Sequence, residues 1–346
     1  MALTPTPTSV TPGFVLTGTQ GYPMPWISSA MLQFDPALQQ LIADRVFPFF
    51  GVQQKQGEIP RIRREDFLRV RPAAQQEMAI GAAYERDVQR TDNIPFNCGK
   101  FGKEGQVTQE SQAFFRQIFD AQLMMAKRIF GQLALEREAL VASMLFNTTT
   151  WPVSGTTGVD VSSTAPWTTL TTDIPTAMAA AITQFQLNCG LKPNAIILNS
   201  QLLRYIANNS VVKGRFTVTP NAQIAANVTL SKEMLVENFA TIFDPSIKHV
   251  LEAGAIYNKA GEGQTMSGGY VWSSDYVMLA RIAETEDMTE PCLGRTMRWN
   301  VMDNTGQEFF GYPEPQTDSD IIKGRSYKRE IVLDSAFGYL MKVSTL

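Results

Sequence analysis

Residues 173–209 read "DIPTAMAAAITQFQLNCGLKPNAIILNSQLLRYIANN", and the reading of this stretch decides the class of fold. Thr172 and Asp173 stand ahead of the first apolar positions, Pro175 falls in the first turn, and Cys189-Gly190 closes the run. These are the start and stop marks of a helix over 174–188. The run "AIILN" (195–199) that follows is short, apolar and flanked by Pro193-Asn194, which predicts a strand, and a second helix begins at Ser200. Helix, strand and helix in that order define an α/β unit.

Downstream the alternation continues. A helix is expected near 231–240, then a strand at "HVLEAGAIYN" (249–258), a loop at "KAGEGQTMSGG" (259–269) and a strand at "YVMLARIA" (276–283). The C-terminal residues return to strand patterns at "KREIVL" (328–333) and "GYLMKVS" (338–344). The whole reads as a mixed α/β domain with a substantial sheet and no internal repeat.

Upstream, a Thr/Ser/Gly-rich connector (147–167) separates this domain from residues 108–147, which carry a 3.6-residue apolar stripe and no proline. One continuous helix there would be about 60 Å long, with Thr108 as N-cap and Glu110 in its first turn. Residues 50–107 have too few large apolar side chains for a core and read as a long twisted hairpin closed by the turn residues of "FNCGKFGKEG" (96–105). A hairpin alone is marginal, so it must lie on something else. Within it, "IPRIRREDFLRVRP" (59–72) holds Arg61, Arg63, Arg64, Arg69 and Arg71. Their alternation with Ile62, Leu68 and Val70 predicts a strand with one charged face, interrupted around Arg64-Glu65-Asp66. A short helical pattern ends near Arg45, and the opening "MALTPTPTSVTPG" reads as an arm, with no basic and apolar pair of regions to mark a secretory signal.

Composition narrows the function. Charged residues make up 18% of the 346 and hydrophobic ones 44%, a shortage of charge that points to surface covered by other protein. The net charge is −3, which argues against a dedicated nucleic-acid binder. Cys98, Cys189 and Cys292 are far apart and outside any metal spacing, so reduced thiols are expected. His249 is the sole histidine and no nucleophile elbow lies beside it, so neither a His-pair zinc site nor a catalytic triad is supported. The glycine-rich 259–269 lacks a phosphate-loop pattern. Glu284, Glu286, Asp287 and Glu290 form an acidic run without calcium-loop spacing and read as a solvated edge. No run of apolar residues is long enough to span a membrane. No catalytic, cofactor-binding or metal-binding residue is assigned.

The order of these pieces, with "IADRVFPFFGV" (42–52), "GEIPRI" (57–62), and the stretches 167–209 and 249–283, resembles tailed-bacteriophage major capsid proteins of the Hong Kong 97-type fold. The resemblance covers most of residues 40–346. It implies an α+β fold with an N-terminal arm (1–40), an extended β-hairpin loop region (41–107), a peripheral domain with a long spine helix (108–170 and 301–333) and a mixed α/β axial domain (171–300 and 334–346). It further implies a structural protein, not an enzyme and without a cofactor. Its partners would be other copies of itself in pentamers and hexamers, with scaffolding, portal and decoration proteins, around double-stranded DNA bound without sequence specificity. The place would be the virion, assembled in the host cytoplasm. The scaffold would be separate or processed away, and no cross-linking lysine and asparagine are assigned. Arg61, Arg63, Arg64, Arg69 and Arg71 would then contact acidic surface on a neighbouring subunit, and reversing Arg69 and Arg71 would block assembly. An encapsulin-like compartment, an α/β enzyme with an unseen site, and DNA contact by the arginines stay open as alternatives.

Overall fold

A computed structural model describes residues 22–23, 41–70, 90–115, 120–216, 231–261, 263–300 and 307–345. Most of the expected arm, the tip of the hairpin loop (71–89) and Arg71 lie outside the described residues. The chain divides into two compact units, one of Met1–Asp35, Gly102–Phe130 and Gln307–Ser326, the other of Pro36–Phe101, Gly131–Gly306 and Tyr327–Leu346.

In the first unit the strand Gln307–Glu314 pairs antiparallel with the start of Ser319–Val332, in register from Gln307↔Ser326 to Glu314↔Ser319. The tight connection puts Asp318 at φ 42°, a left-handed conformation that Asp tolerates better than most residues. Tyr22–Pro23 extends this sheet along Phe310 and Gly311. The strand Gly99–Thr108 also pairs with Ser319–Val332, where the spacing of glycines predicted turns. Those glycines permit close approach: a Cβ at Gly102 would lie 2.8 Å from the Gly324 carbonyl, and one at Gly105 would meet the Met125 side chain.

The expected single helix over 108–147 is two helices, Gln109–Phe115 and Ala121–Leu145. Thr108 caps the first, its Oγ1 accepting the Ser111 amide at 3.2 Å. Asp120 starts the second by accepting the amides of Gln122 and Leu123. The spine helix is therefore 25 residues long, about 37 Å. The carboxamides of Gln112 and Gln122 both donate to Asp320 Oδ2.

The second unit is built on a mixed six-stranded sheet in the order Ser154–Gly155, Gly158–Asp160, Gly338–Lys342, Tyr276–Ala280, Ala195–Asn199, His249–Ala253. Every residue of Ala195–Asn199 is buried, as are four of five in Tyr276–Ala280, the pattern of strands covered on both faces. The helix Ile174–Cys189 supplies one cover, burying Ile174, Met178, Ala181, Ile182, Phe185 and Cys189. Asp173 caps it by accepting the Thr176 amide, and Gly190 ends it at φ 78°. Trp151, Trp167 and Trp272 are fully buried in the same core. The strand expected over 249–258 is broken after Ala253, and Ile256–Asn258 turns away to pair with Gly268–Tyr270. The helix expected near 231–240 is also divided, at Asn238.

Also in this unit, Gly294–Trp299 pairs antiparallel with Lys328–Val332 and parallel with Phe49–Val52. The hairpin of Gln56–Ile62 and Thr91–Asn97 packs through Ile59 and Cys98 on Met297 and Ile331. It rests on another element, as its shortage of apolar residues requires.

Two buried polar groups tie the spine helix to its neighbours. Glu138, with no exposed surface, accepts the amides of Ile42 (3.0 Å) and Ala43 (2.8 Å) and the Trp272 indole N–H (2.6 Å). Arg137 donates through Nη2 to the Phe47 carbonyl and Thr296 Oγ1, both at 3.0 Å, pairs with Asp44, and stacks 4.1 Å over the Phe49 ring. Its Nε and Lys328 Nζ each stand 3.4 Å from Glu330 Oε1. Burial pushes Arg137 down to about 10 and Lys328 down to about 8.

All three cysteines are buried and unpaired, and burial pushes each thiol up. Raised, inaccessible thiols react slowly. Assemblies of this chain are therefore expected to survive reductant alone, and sedimentation before and after reduction checks this; dissociation would contradict it.

Candidate intersubunit surface

The structure distributes the arginine segment between paired and unpaired positions. Arg61, next to last in the hairpin strand, lies directly across from Asp92, to whose Oδ2 its Nη2 donates at 3.1 Å. Its Nη1 donates to the Leu333 carbonyl at 3.2 Å and lies 3.6 Å from Asp334 Oδ1. Arg63 grips the same Asp92 with two donors, at 2.9 and 2.6 Å. Arg64 donates to Asp334 Oδ2 at 2.6 Å and stands 3.2 Å from Glu65. The hydrogen bonds from Arg63, then Arg61, hold the Asp92 carboxyl below its usual range. These pairs are partly open to water, with 28–44% of the arginine side chains exposed, so each contributes little to stability.

Among the described residues 67–70 the strand expected to continue through "FLRVR" does not form. Arg64–Phe67 is one helical turn, closed by the Leu68 amide on the Arg64 carbonyl, and residues 68–70 follow without regular pairing. Among the described residues the hairpin register runs to Ile62 opposite Thr91. Arg69 is exposed and has no ion pair among the described residues. Leu68 is 56% and Val70 80% exposed. Asp334, which receives two arginines, was invisible to local reading because it lies 270 positions from Arg64.

The acidic run forms a self-capped loop. Glu290 accepts the amides of Glu284 and Thr285 and the Thr285 hydroxyl, and Asp287 accepts the Thr289 amide. His249 Nε2 stands 3.7 Å from Glu284, which also binds Asn194 and Lys248. Among the described residues no cluster of His, Cys, Asp and Glu could hold a metal ion, and no helix is long and apolar enough to cross a membrane.

No protein-family model and no curated protein matches the sequence. Solved structures do match the fold. A phage-related protein from Bordetella bronchiseptica superposes with a TM-score of 0.65 at 18% identity, over 94% of this chain and 98% of that one. The capsid of cyanophage P-SCSP1u gives 0.52 at 12% identity over 97% and 92%, and the capsid of a native GTA particle 0.54 at 12% over 89% and 90%. The chain thus has a mixed α+β fold shared with phage capsid proteins of the Hong Kong 97 type.

Proposed function

We propose that this chain is the major capsid protein of a tailed double-stranded-DNA phage head, a structural protein that builds an icosahedral shell from pentamers and hexamers of itself. The observation that carries the reading is the likeness of fold to the cyanophage capsid, which runs over 97% of this chain and 92% of that one. In this reading residues 108–170 with 301–333 form the peripheral domain and 171–300 with 334–346 the axial domain. The arginine segment, Arg61, Arg63, Arg64, Arg69 and Arg71, faces acidic surface on neighbouring copies, the first three with the sides their own acids leave open. Repeated by symmetry, contacts that are weak one at a time become specific and cumulatively strong. Scaffolding, portal and decoration proteins complete the particle, which is a virion component assembled in the host cytoplasm.

Electron microscopy of the purified protein tests the reading. Closed shells are expected, and DNA is their expected content in infected cells. Shells filled with cargo protein would move the chain to an encapsulin-like compartment. A discrete monomer or dimer that turned over a substrate would end the structural reading.

A further inference from the structure

We propose that the exposed segment Leu68-Arg69-Val70 of one copy docks on the acidic loop 284–290 of a second copy of this chain. The inference rests on the shell reading above and names the surface that receives the arginine segment. Arg61, Arg63 and Arg64 are already occupied by Asp92 and Asp334 of their own chain. Arg69 is exposed, has no ion pair among the described residues, and stands between two large apolar side chains that are 56% and 80% exposed. The apolar surface continues beyond it. A Cβ at Gly190 would lie 2.9 Å from Leu68 Cδ1, and on either side of Gly190 in sequence are Leu187, 72% exposed, and Leu191, 38% exposed. A cation set in apolar surface asks for a partner that brings a carboxylate and excludes water around it.

The same chain carries the complement. Four carboxylates fall within residues 284–290, and their partners in the loop differ. Glu290 is spent on amides of the loop itself, and Glu284 on Asn194 and Lys248. Glu286 and Asp287 remain exposed with no ion pair among the described residues, Asp287 accepting the Thr289 amide and the charges of Arg298 and Arg295 bearing on Glu286 and Asp287 respectively. Met288, half-buried against the core around Ile59 and Met297, fixes the loop beneath them. A fixed pair of carboxylates suits the planar guanidinium fork of Arg69. One patch on each copy meeting a different patch on the next is a head-to-tail contact, the kind that closes into rings where the rotation allows.

Charge exchange tests the contact. Three variants are compared with the parent by sedimentation, electron microscopy and circular dichroism: Arg69→Glu, the pair Glu286→Lys with Asp287→Lys, and all three changes together. Each reversal alone is expected to lower the yield of shells at least about tenfold at physiological salt, with the helix content and thermal midpoint of the free subunit unchanged. The combined variant is expected to recover the parent yield to within about twofold, because the coupled changes restore attraction. Normal shells from either reversal, or a combined variant no better than the single ones, would overturn the inference and leave the shell reading standing. A fall in the thermal midpoint of the free Arg69→Glu subunit would also overturn it, by placing the partner of Arg69 inside its own chain. A parent that forms no shells overturns both.

Discussion

Glu138→Ala is expected to lower the unfolding free energy of the unassembled chain by about 3–5 kcal/mol, the range for stranding several buried donors at roughly 1–3 kcal/mol each. The carboxylate is fully buried and serves the Ile42 and Ala43 amides and the Trp272 indole at once. Alanine leaves all three donors without an acceptor and opens a cavity beside Trp272, whose ring meets that of Phe146 edge-on at 5.1 Å. Glutamine keeps one acceptor oxygen but turns an amide donor toward the other donors, so Glu138→Gln is expected to cost less, about 1–2 kcal/mol. Denaturant midpoints of the two variants measure the difference, and hydrogen exchange at Ile42 and Ala43 locates it. A loss below about 1 kcal/mol for the alanine variant would mean that these donors find another acceptor.

Lys328→Met is expected to act in the opposite direction and to stabilise the chain by about 2–3 kcal/mol at pH 7. Lys328 is 9% exposed and is held down to about 8 from 10.5 by burial. Glu330 opposes that shift, and the Arg137 charge adds to it. Arg298 occupies the position directly across the sheet, and the Phe101 ring lies 5.5 Å from the amine. Below pH 8 Lys328 is protonated in both the folded and the unfolded chain, so the cost of burying its charge is present in full. Between pH 8 and 10.5 the unfolded chain binds more protons at this residue, and stability rises with pH. Above 10.5 both states are neutral there and the gain is complete. The advantage of the methionine variant over the parent should therefore shrink across that window. Unfolding curves at pH 7 and pH 10 read this, since titrating groups not coupled to Lys328 cancel in the difference. A variant less stable than the parent at both values would show that Lys328 is worth more to Glu330 than its burial costs.

Much of the second unit could be read from residues alone because its elements carry their own boundaries. Asp173, Pro175 and Gly190 act on neighbours within one turn, so the helix Ile174–Cys189 and the strand Ala195–Asn199 fall where local chemistry puts them. Several misreadings share a physical source, in that a side chain's role is set by a partner far along the chain. Gly99, Gly102 and Gly105 signal turns by composition, yet Gly102 is needed where the strand passes close to Gly324. Asp120 lies inside an unbroken apolar stripe and gives no sign that it starts a new helix. The arginine segment was read as meeting acids of a neighbouring copy; of the acids that three of its arginines meet in their own chain, Asp92 was visible within the same region. Asp334 was not, because only the fold brings it to Arg61 and Arg64. The exposure of Leu68 and Val70, which sets Arg69 apart from Arg61, Arg63 and Arg64, is a property of the fold that the alternating pattern did not carry.

The burial of Cys98, Cys189 and Cys292 has a practical consequence. With every native thiol shielded, a single cysteine introduced at an exposed position becomes the one group that a maleimide dye can reach quickly. Val70, 80% exposed, is such a position, and a Val70→Cys chain labelled before and after assembly turns the covering of that surface into a fluorescence reading. The chain is, in effect, already a cysteine-light background on which site-directed spectroscopy can be done without first removing its own sulfurs.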